Sequence, residues 1–580
     1  MLLRSTLAGL ALLLAPFACA LELRLDRAGL TPEQQQRAQA LLEHSHARLP
    51  AAWQADGRVL EVRFDPALKQ DVAGHHWRGR IRLNPALLMP PATASATGGP
   101  TVPVAQASVL HEIAHALDRQ GGRWSGDRAF RRLAGWDRMG ADNPYRLRSP
   151  DDYERHSAAE AFAVNLEWFL LDPLYACRRP ALAAWYVQHF GRPATQAAVD
   201  CAPGLPWLAA TGSSGGVTME QIDPARVYAV DYLLADSGGA PMSRFGHSML
   251  RLVVCAPGRA LGERCRMDLA HHRVLSFRAF VDDVQVSSWS GLTGGYPSRL
   301  FLLPLNQVID EYNRVELRDL QAWPLALERV QIQALLTTAA QLHWGYDGDY
   351  TFIGNNCAVE TGRLLDTALG PAAGRHYRNT FPRGVLRQLV RDGLAMPADA
   401  GPSAAVPGLY FPSARAEYAV LFAQLQRAGQ VPAMGLMAWL DAPAQQRGAL
   451  PAQPSLEQAA AWLVLERAAL RRAELRALAS LKPRLRQSAA LDGAVAGWLG
   501  WLGRIDAPGR LPVAGYGLPQ PPELAAAAPQ LQALLDQGPG QWRQLQAQAE
   551  AALDPALQAQ LQQGRQRLEQ IGRQLRAHLH

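Results

Sequence analysis

Past its first twenty residues the sequence has no apolar run approaching the roughly 18 residues that a membrane-spanning helix needs. The nearest stretch, Gly493 to Leu502, is short and broken by glycine, so the processed protein is expected to be soluble or peripheral to a membrane. No long low-complexity tract is present, and the composition, 48% hydrophobic and 19% charged, is that of a globular chain. A phosphate-cradling glycine loop and nucleic-acid-binding motifs are also missing, which leaves nucleic acid out as an expected partner. Lysine is nearly absent: only Lys69 and Lys482 occur among 58 basic residues. This arginine- and alanine-rich usage suggests GC-rich bacterial coding.

What is present begins with a leader. Arg4 precedes the apolar run Leu7 to Leu14, and Ala18-Cys19-Ala20 fits the small-residue pattern cut by signal peptidase. Residues 1–20 are therefore read as a signal peptide and the compartment as the bacterial periplasm. Removing Arg4 lowers the formal net charge of +7 by one, leaving a mild bias compatible with an anionic membrane surface or wall polymer. Five cysteines then remain: Cys177, Cys201, Cys255, Cys265 and Cys357. In an oxidising compartment the near pairs Cys177 with Cys201 and Cys255 with Cys265 are the natural disulfides, and Cys357 is left over.

The chemistry starts at Val109-Leu110-His111-Glu112-Ile113-Ala114-His115. Residues four apart share a helix face, so His111 and His115 can supply two corners of a metal site. Glu112 beside them suits the base that takes a proton from a metal-bound water. A third ligand is expected from the later helix Ser157 to Leu170, where Glu160 is the candidate and Glu154 and Glu167 compete. With Tyr153 upstream, this stretch resembles the gluzincin metallopeptidases, in particular the lethal-factor-like branch. The resemblance implies Zn2+ held by His111, His115 and Glu160, with Glu112 as base and Tyr153 as oxyanion donor.

The second motif pair lies further on. His247 opens a strand-like stretch after Ser243-Arg244-Phe245-Gly246, and Cys357 follows Asn356 where a loop becomes a helix. A helix start favours a thiolate, and cysteine with histidine can perform acyl chemistry. The histidine-first order resembles the permuted NlpC/P60 and lecithin:retinol acyltransferase-like branch of the papain fold. Added to Gly291 to Pro297, Glu311-Tyr312-Asn313 and Glu316-x-Arg318-Asp319, it resembles the DUF4105 family, which includes the periplasmic domain of Lnb-type lipoprotein N-acyltransferases. That resemblance implies Cys357 as nucleophile, His247 as its base, and backbone N–H groups with Asn356 at the oxyanion. Asp268, His271 and His272 are candidates to orient the histidine.

The length, 580 residues, suggests several domains. The expected fold is α+β: a zincin-like domain over 21–202, a linker over 203–225, a permuted papain-like thiol domain over 226–395, a linker over 396–414 and an all-α region over 415–580. The function expected is an envelope enzyme with a thiol acyl-transfer or hydrolase site and a zinc peptidase-like site, acting on lipoproteins, peptides or acyl lipids. A periplasmic scaffold with inactive sites and a cell-wall peptidase or amidase are the alternatives.

Overall fold

The computed structural model describes residues 21–55, 57–89, 93–94, 102–136, 143–193, 199–210, 217–238, 244–279, 296–352, 354–370, 376–396, 408–481, 489–505 and 507–579. The leader, the Thr211 to Gly216 stretch, Ser243 and Gly291 to Gly295 lie outside these, as do parts of the segments 89–104 and 392–412. The chain is mixed α and β and forms two compact units.

The first unit comprises residues up to Trp136 together with Pro150–Cys201. Its sheet runs β1 (Glu22–Asp26), β2 (Val59–Phe64), β4 (Arg80–Leu83), β3 (Gly74–Trp77). The first three are parallel and β3 closes the edge antiparallel to β4. Alternating burial along β2 and β4 shows one face on the core, as their period-two pattern requires. β3 is the edge strand beside β4, and β1 is the edge at the other side. Helix Pro32–Arg48 starts on a complete Thr31/Gln34 capping box. The helix Val104–Gly121 buries Val109, Leu110, Ile113, Ala114 and Leu117, and Ala161, Phe162 and Val164 are buried on the helix Ala158–Leu171. Around them Trp53, Phe130, Phe162, Trp185 and Phe190 pack at ring-centroid distances of 4.4–6.5 Å. A Cys177–Cys201 disulfide ties the unit's last segment.

The second unit comprises Asp137–Ser149 and Ala202–His580. Two short strands, β5 (Thr93–Ala94) and β6 (Val102–Pro103), precede it in the chain. Its nine-stranded sheet is ordered β15 (Tyr410–Phe411), β13 (Leu320–Pro324), β9 (Val227–Ala235), β10 (His247–Val254), β11 (Arg273–Ala279), β12 (Tyr296–Pro304), β7 (Leu205–Ala210), β8 (Val217–Ile222), with β14 (Gly348–Tyr350) also on β12. The expected 203–225 linker is thus mostly strand: Leu205 to Ala210 pairs antiparallel with Val217 to Ile222, and Trp207 is buried. Its Gly/Ser composition separates two paired strands instead of two domains. Likewise Tyr410–Phe411, in the expected second linker, hydrogen-bonds β13.

One sheet face, carrying Tyr232, Leu250, Leu275 and Phe277, packs on Leu335, Leu336 and Ala339 of helix Arg329–Gly345 and Leu364 and Leu365 of helix Cys357–Leu369. Trp501 and Ile505 of helix Ala489–Ile505 join the same core, so the C-terminal helices are part of this unit and not a separate domain. The other face, with Leu233, Met249 and Val274, packs on Leu305, Val308 and Tyr312. Farther along, helices Arg415–Arg427, Leu456–Leu481 and Pro555–Leu579 share a core around Trp439, Trp462 and Ile571. There Glu466, wholly buried, receives Arg447 at 2.6 Å and Arg567 at 2.7 Å. Replacing Glu466 by Ala strands two guanidinium groups, one of them fully buried, and is expected to destabilise the unit by about 3–5 kcal/mol. Urea unfolding followed by tryptophan fluorescence measures it; a loss below about 1 kcal/mol would show that the pairs are well hydrated.

Candidate metal centre and buried thiol

His111 and His115 stand one turn apart on the Val104–Gly121 helix, and Glu160 is the third residue of the helix capped by Ser157. The Ser157 hydroxyl accepts the Glu160 N–H at 3.1 Å. In sequence this spacing reads as a capping box, but the carboxylate turns to the histidines instead. Glu160 Oε2 lies 3.1 Å from His111 Nε2 and 3.0 Å from His115 Nε2, and the two nitrogens are 3.1 Å apart. Protons cannot satisfy all three contacts of this triangle, whereas one cation on its axis does. Four-coordinate metal bonds of 2.0–2.1 Å place ligand atoms about 3.3 Å apart, close to the spacing found. These three residues are the group that could hold a metal ion among the described residues.

The two competing glutamates have other work. Glu167 sits on His111 Nδ1, the position of a carboxylate that fixes a ligating imidazole from behind. Glu154 is buried in a paired bond to Arg179 and a bond to Asn165. Burial opposes a charged His111, yet Glu167 and Glu160 outweigh it and push its pKa up to about 10. Burial also works against ionised Glu160, but bonds from His111 and His115 hold it at about 2. Glu112 is pushed up to about 7, chiefly by burial, and its Oε2 is buried without a hydrogen-bond partner. β3 passes directly over it: a Cβ on Gly74 would lie 2.8 Å from Glu112 Cγ and Oε1. Only glycine fits there. Tyr153, 48% exposed, has its ring 5.9 Å from that of His111, and burial with Glu160 and Glu112 keeps the phenol protonated.

In the second unit Cys357 begins its helix and is the free cysteine, since Cys255 pairs with Cys265. Asn356 is its cap. The Asn356 oxygen accepts the Ala358 and Val359 N–H groups, and its amide donates to Phe352 O and Thr380 O at 2.9 Å each. Both amide hydrogens are spent, so Asn356 holds the helix start and does not serve an oxyanion.

His247 and Cys357 are not brought together. Strand alternation sends His247 to the Met249 face of the sheet and Ser248 to the Leu250 face, where the Cys357 helix packs. His247 Nε2 meets Ser276 Oγ at 3.0 Å, and the ring stacks on Tyr312 at 6.0 Å. Burial, then Arg278 and Arg318, lower its pKa to about 3. None of the three expected orienting groups is used on His247. Asp268 binds Arg259 and the Ala256 N–H, with His271 beside it, and His272 bonds Cys265 O. The groups bearing on the Cys357 sulfur are the Ser248 N–H and hydroxyl, the Ala358 N–H and the Tyr350 hydroxyl, against burial that pushes the thiol up. Sequence reasoning passed over Ser248 and Tyr350, although both adjoin its motifs.

The segment carrying this site is similar to a known domain. Residues 217–391 match the Lnb N-terminal periplasmic domain. The first unit matches a domain of unknown function, DUF7844, over residues 22–130 and 122–198. That family carries no assigned activity, so the gluzincin resemblance gains no support from it. No curated protein and no solved structure matches the chain. No described helix is long and apolar enough to cross a membrane.

Protonation and metal binding are linked at this centre. His111, with its pKa at about 10, carries a proton at neutral pH that metal must displace from Nε2, while Nδ1–H remains on Glu167. Metal binding is therefore expected to release about one proton and to strengthen about tenfold per pH unit from about pH 6 to pH 8. Calorimetric titration in buffers of differing ionisation enthalpy reads both quantities. Glu167→Gln is expected to weaken metal binding about 10–100-fold, and no change would place Glu167 outside the centre's support.

Proposed function

We propose that the first unit is a zinc-dependent hydrolase acting on peptide bonds, with a zincin-like site, and that it works in the periplasm on envelope proteins or wall peptides. The observation that carries this reading is the convergence of His111, His115 and Glu160 beside the partnerless carboxylate oxygen of Glu112. Two imidazoles and a carboxylate are a donor set that suits zinc. When bound, zinc supplies Lewis-acid polarisation of the scissile carbonyl and acidifies water.

The chain's own groups do the rest. Glu112, with its pKa near 7, is matched to take a proton from the attacking water and return it to the leaving amine near neutrality. Its open oxygen is the acceptor. Tyr153 keeps its proton and can donate to the carbonyl oxygen as charge develops there. The edge strand β3 offers its outward backbone groups, apart from the His76 C=O that Arg119 takes, to an extended peptide running beside Glu112. Similarity of the second unit to a periplasmic domain supports the compartment.

A second reading concerns the second unit, as a thiol acyltransferase or hydrolase centred on Cys357. It is favoured by a free thiol at a helix start in the segment that matches the Lnb domain. Cys357 would attack an ester or amide carbonyl of a lipoprotein or acyl lipid, expelling its alcohol or amine as a thioester forms, and an amine or water would then take the acyl group and free the thiol.

Glu112→Gln is expected to keep the metal and lose peptide hydrolysis by about 10²–10⁴-fold. Elemental analysis and a quenched-fluorescent peptide library on the same preparation test it. Full activity in that variant would sink the reading, and loss of metal would recast Glu112 as structural.

A further inference from the structure

We propose that Cys357 is activated by the Ser248 N–H and hydroxyl together with the Tyr350 hydroxyl, and that His247 holds the start of β10 instead of acting as the cysteine's base. This rests on the thiol reading of the second unit. The argument is one of strand geometry. Neighbouring residues of a strand point to opposite faces, and β10 shows it residue by residue: Met249 enters the core around Tyr312, and Leu250 enters the core that includes Ala358. His247 follows Met249 and Ser248 follows Leu250. The Cys357 helix lies on the second face.

The hydroxyl of Ser248 is the decisive atom. Ser248 is fully buried, its Oγ has no hydrogen-bond partner, and it lies on the face of β10 against which the Cys357 helix packs. Buried hydroxyls are normally satisfied, and this one bears on the Cys357 sulfur and on the oxygen of Tyr232. The Tyr232 proton is already given to Pro382 O at 2.8 Å. Tyr350, on β14, is the other hydroxyl at the sulfur. The groups facing Cys357 are thus Ser248 and Tyr232 from the sheet's central strands, Tyr350 from β14, and the Ala358 N–H of its own helix. His247 is occupied elsewhere: Ser276 holds its Nε2, Tyr312 covers its ring, and Arg278, bound to both Glu311 oxygens, stands beside it.

The test is alkylation of the native full-length chain by iodoacetamide across pH. The thiolate displaces iodide from the reagent's methylene carbon, so the rate follows the thiolate fraction. With four cysteines in disulfides and Cys19 replaced by serine in every preparation, Cys357 is the thiol left to label. Ser248→Ala and Tyr350→Phe each remove a donor to the thiolate, so each is expected to move the rate profile to higher pH and slow labelling several-fold at neutrality. Ser248→Thr, which keeps the hydroxyl, is expected to restore the wild-type profile, and His247→Asn to leave it in place. A profile that moves with His247→Asn and not with Ser248→Ala or Tyr350→Phe would overturn the proposal while leaving the thiol reading intact. A thiol inert in the native wild type and labelled only after unfolding would overturn both.

Discussion

Lone pairs that face one another repel unless a cation or a proton stands between them, and the first unit is arranged around three that do. His111, His115 and Glu160 come from two helices, and their atoms meet at 3.0–3.1 Å. Holding them there takes more than the ligands. Glu167 fixes the His111 ring from behind, Ser157 starts the Glu160 helix, and the aromatic core around Phe162 keeps that helix from rotating. The middle of the Val104–Gly121 helix, buried from Val109 to Asp118 except at His111, cannot turn its histidines away without exposing Leu110 or Ile113. The packing that stabilises the unit is therefore the packing that aims the site.

The second unit obeys a different constraint, the two-residue period of a strand. One position along β10 decides whether a side chain meets the Cys357 helix or the Tyr312 side. The motif residues around His247 form a network on the Tyr312 side: Arg318 lies 5.0 Å over the Tyr312 ring, Asn313 bonds Arg318 O and Phe411 O, and Asp319 receives Tyr410 and the Ser413 N–H. These contacts pin β13, β15 and the π-helical segment Asp310–Val315 to one another. Four separated motifs in one segment thus include residues that build the sheet's end, not only residues that touch a substrate.

The legible parts of the sequence were those set by local rules. The helix start at Cys357 and the histidine spacing depend on neighbours a turn or less away. The cysteine pairs were legible because short loops limit the choices. Illegible were the features set by distant partners. Trp207 sits in a strand because it buries against helix Arg329–Gly345, where its ring lies 5.0 Å from that of His343; nothing beside Thr211 to Gly216 says so. Glu167 and Glu160 are both carboxylates on one helix, and only the fold tells a ligand candidate from the group behind His111. The side that His247 faces follows from strand phase, which needs the partner cores to fix it.

Each unit leaves one buried oxygen unpartnered beside its reactive group, Glu112 Oε2 in the first and Ser248 Oγ in the second. An unmet buried polar group costs about 1–3 kcal/mol, a sizeable share of the roughly 5–15 kcal/mol by which a folded domain is stable. A core free to relax would close that gap with water or by a rotamer change. Packing restrains the side chains at both sites. Glu112 is roofed by β3, where Gly74 leaves no room above the carboxylate, and Ser248 lies between two core strands with the Cys357 helix across it. Packing holds both atoms where they are, the Glu112 oxygen open to a partner that a substrate brings and the Ser248 hydroxyl on the side of β10 that meets the Cys357 helix.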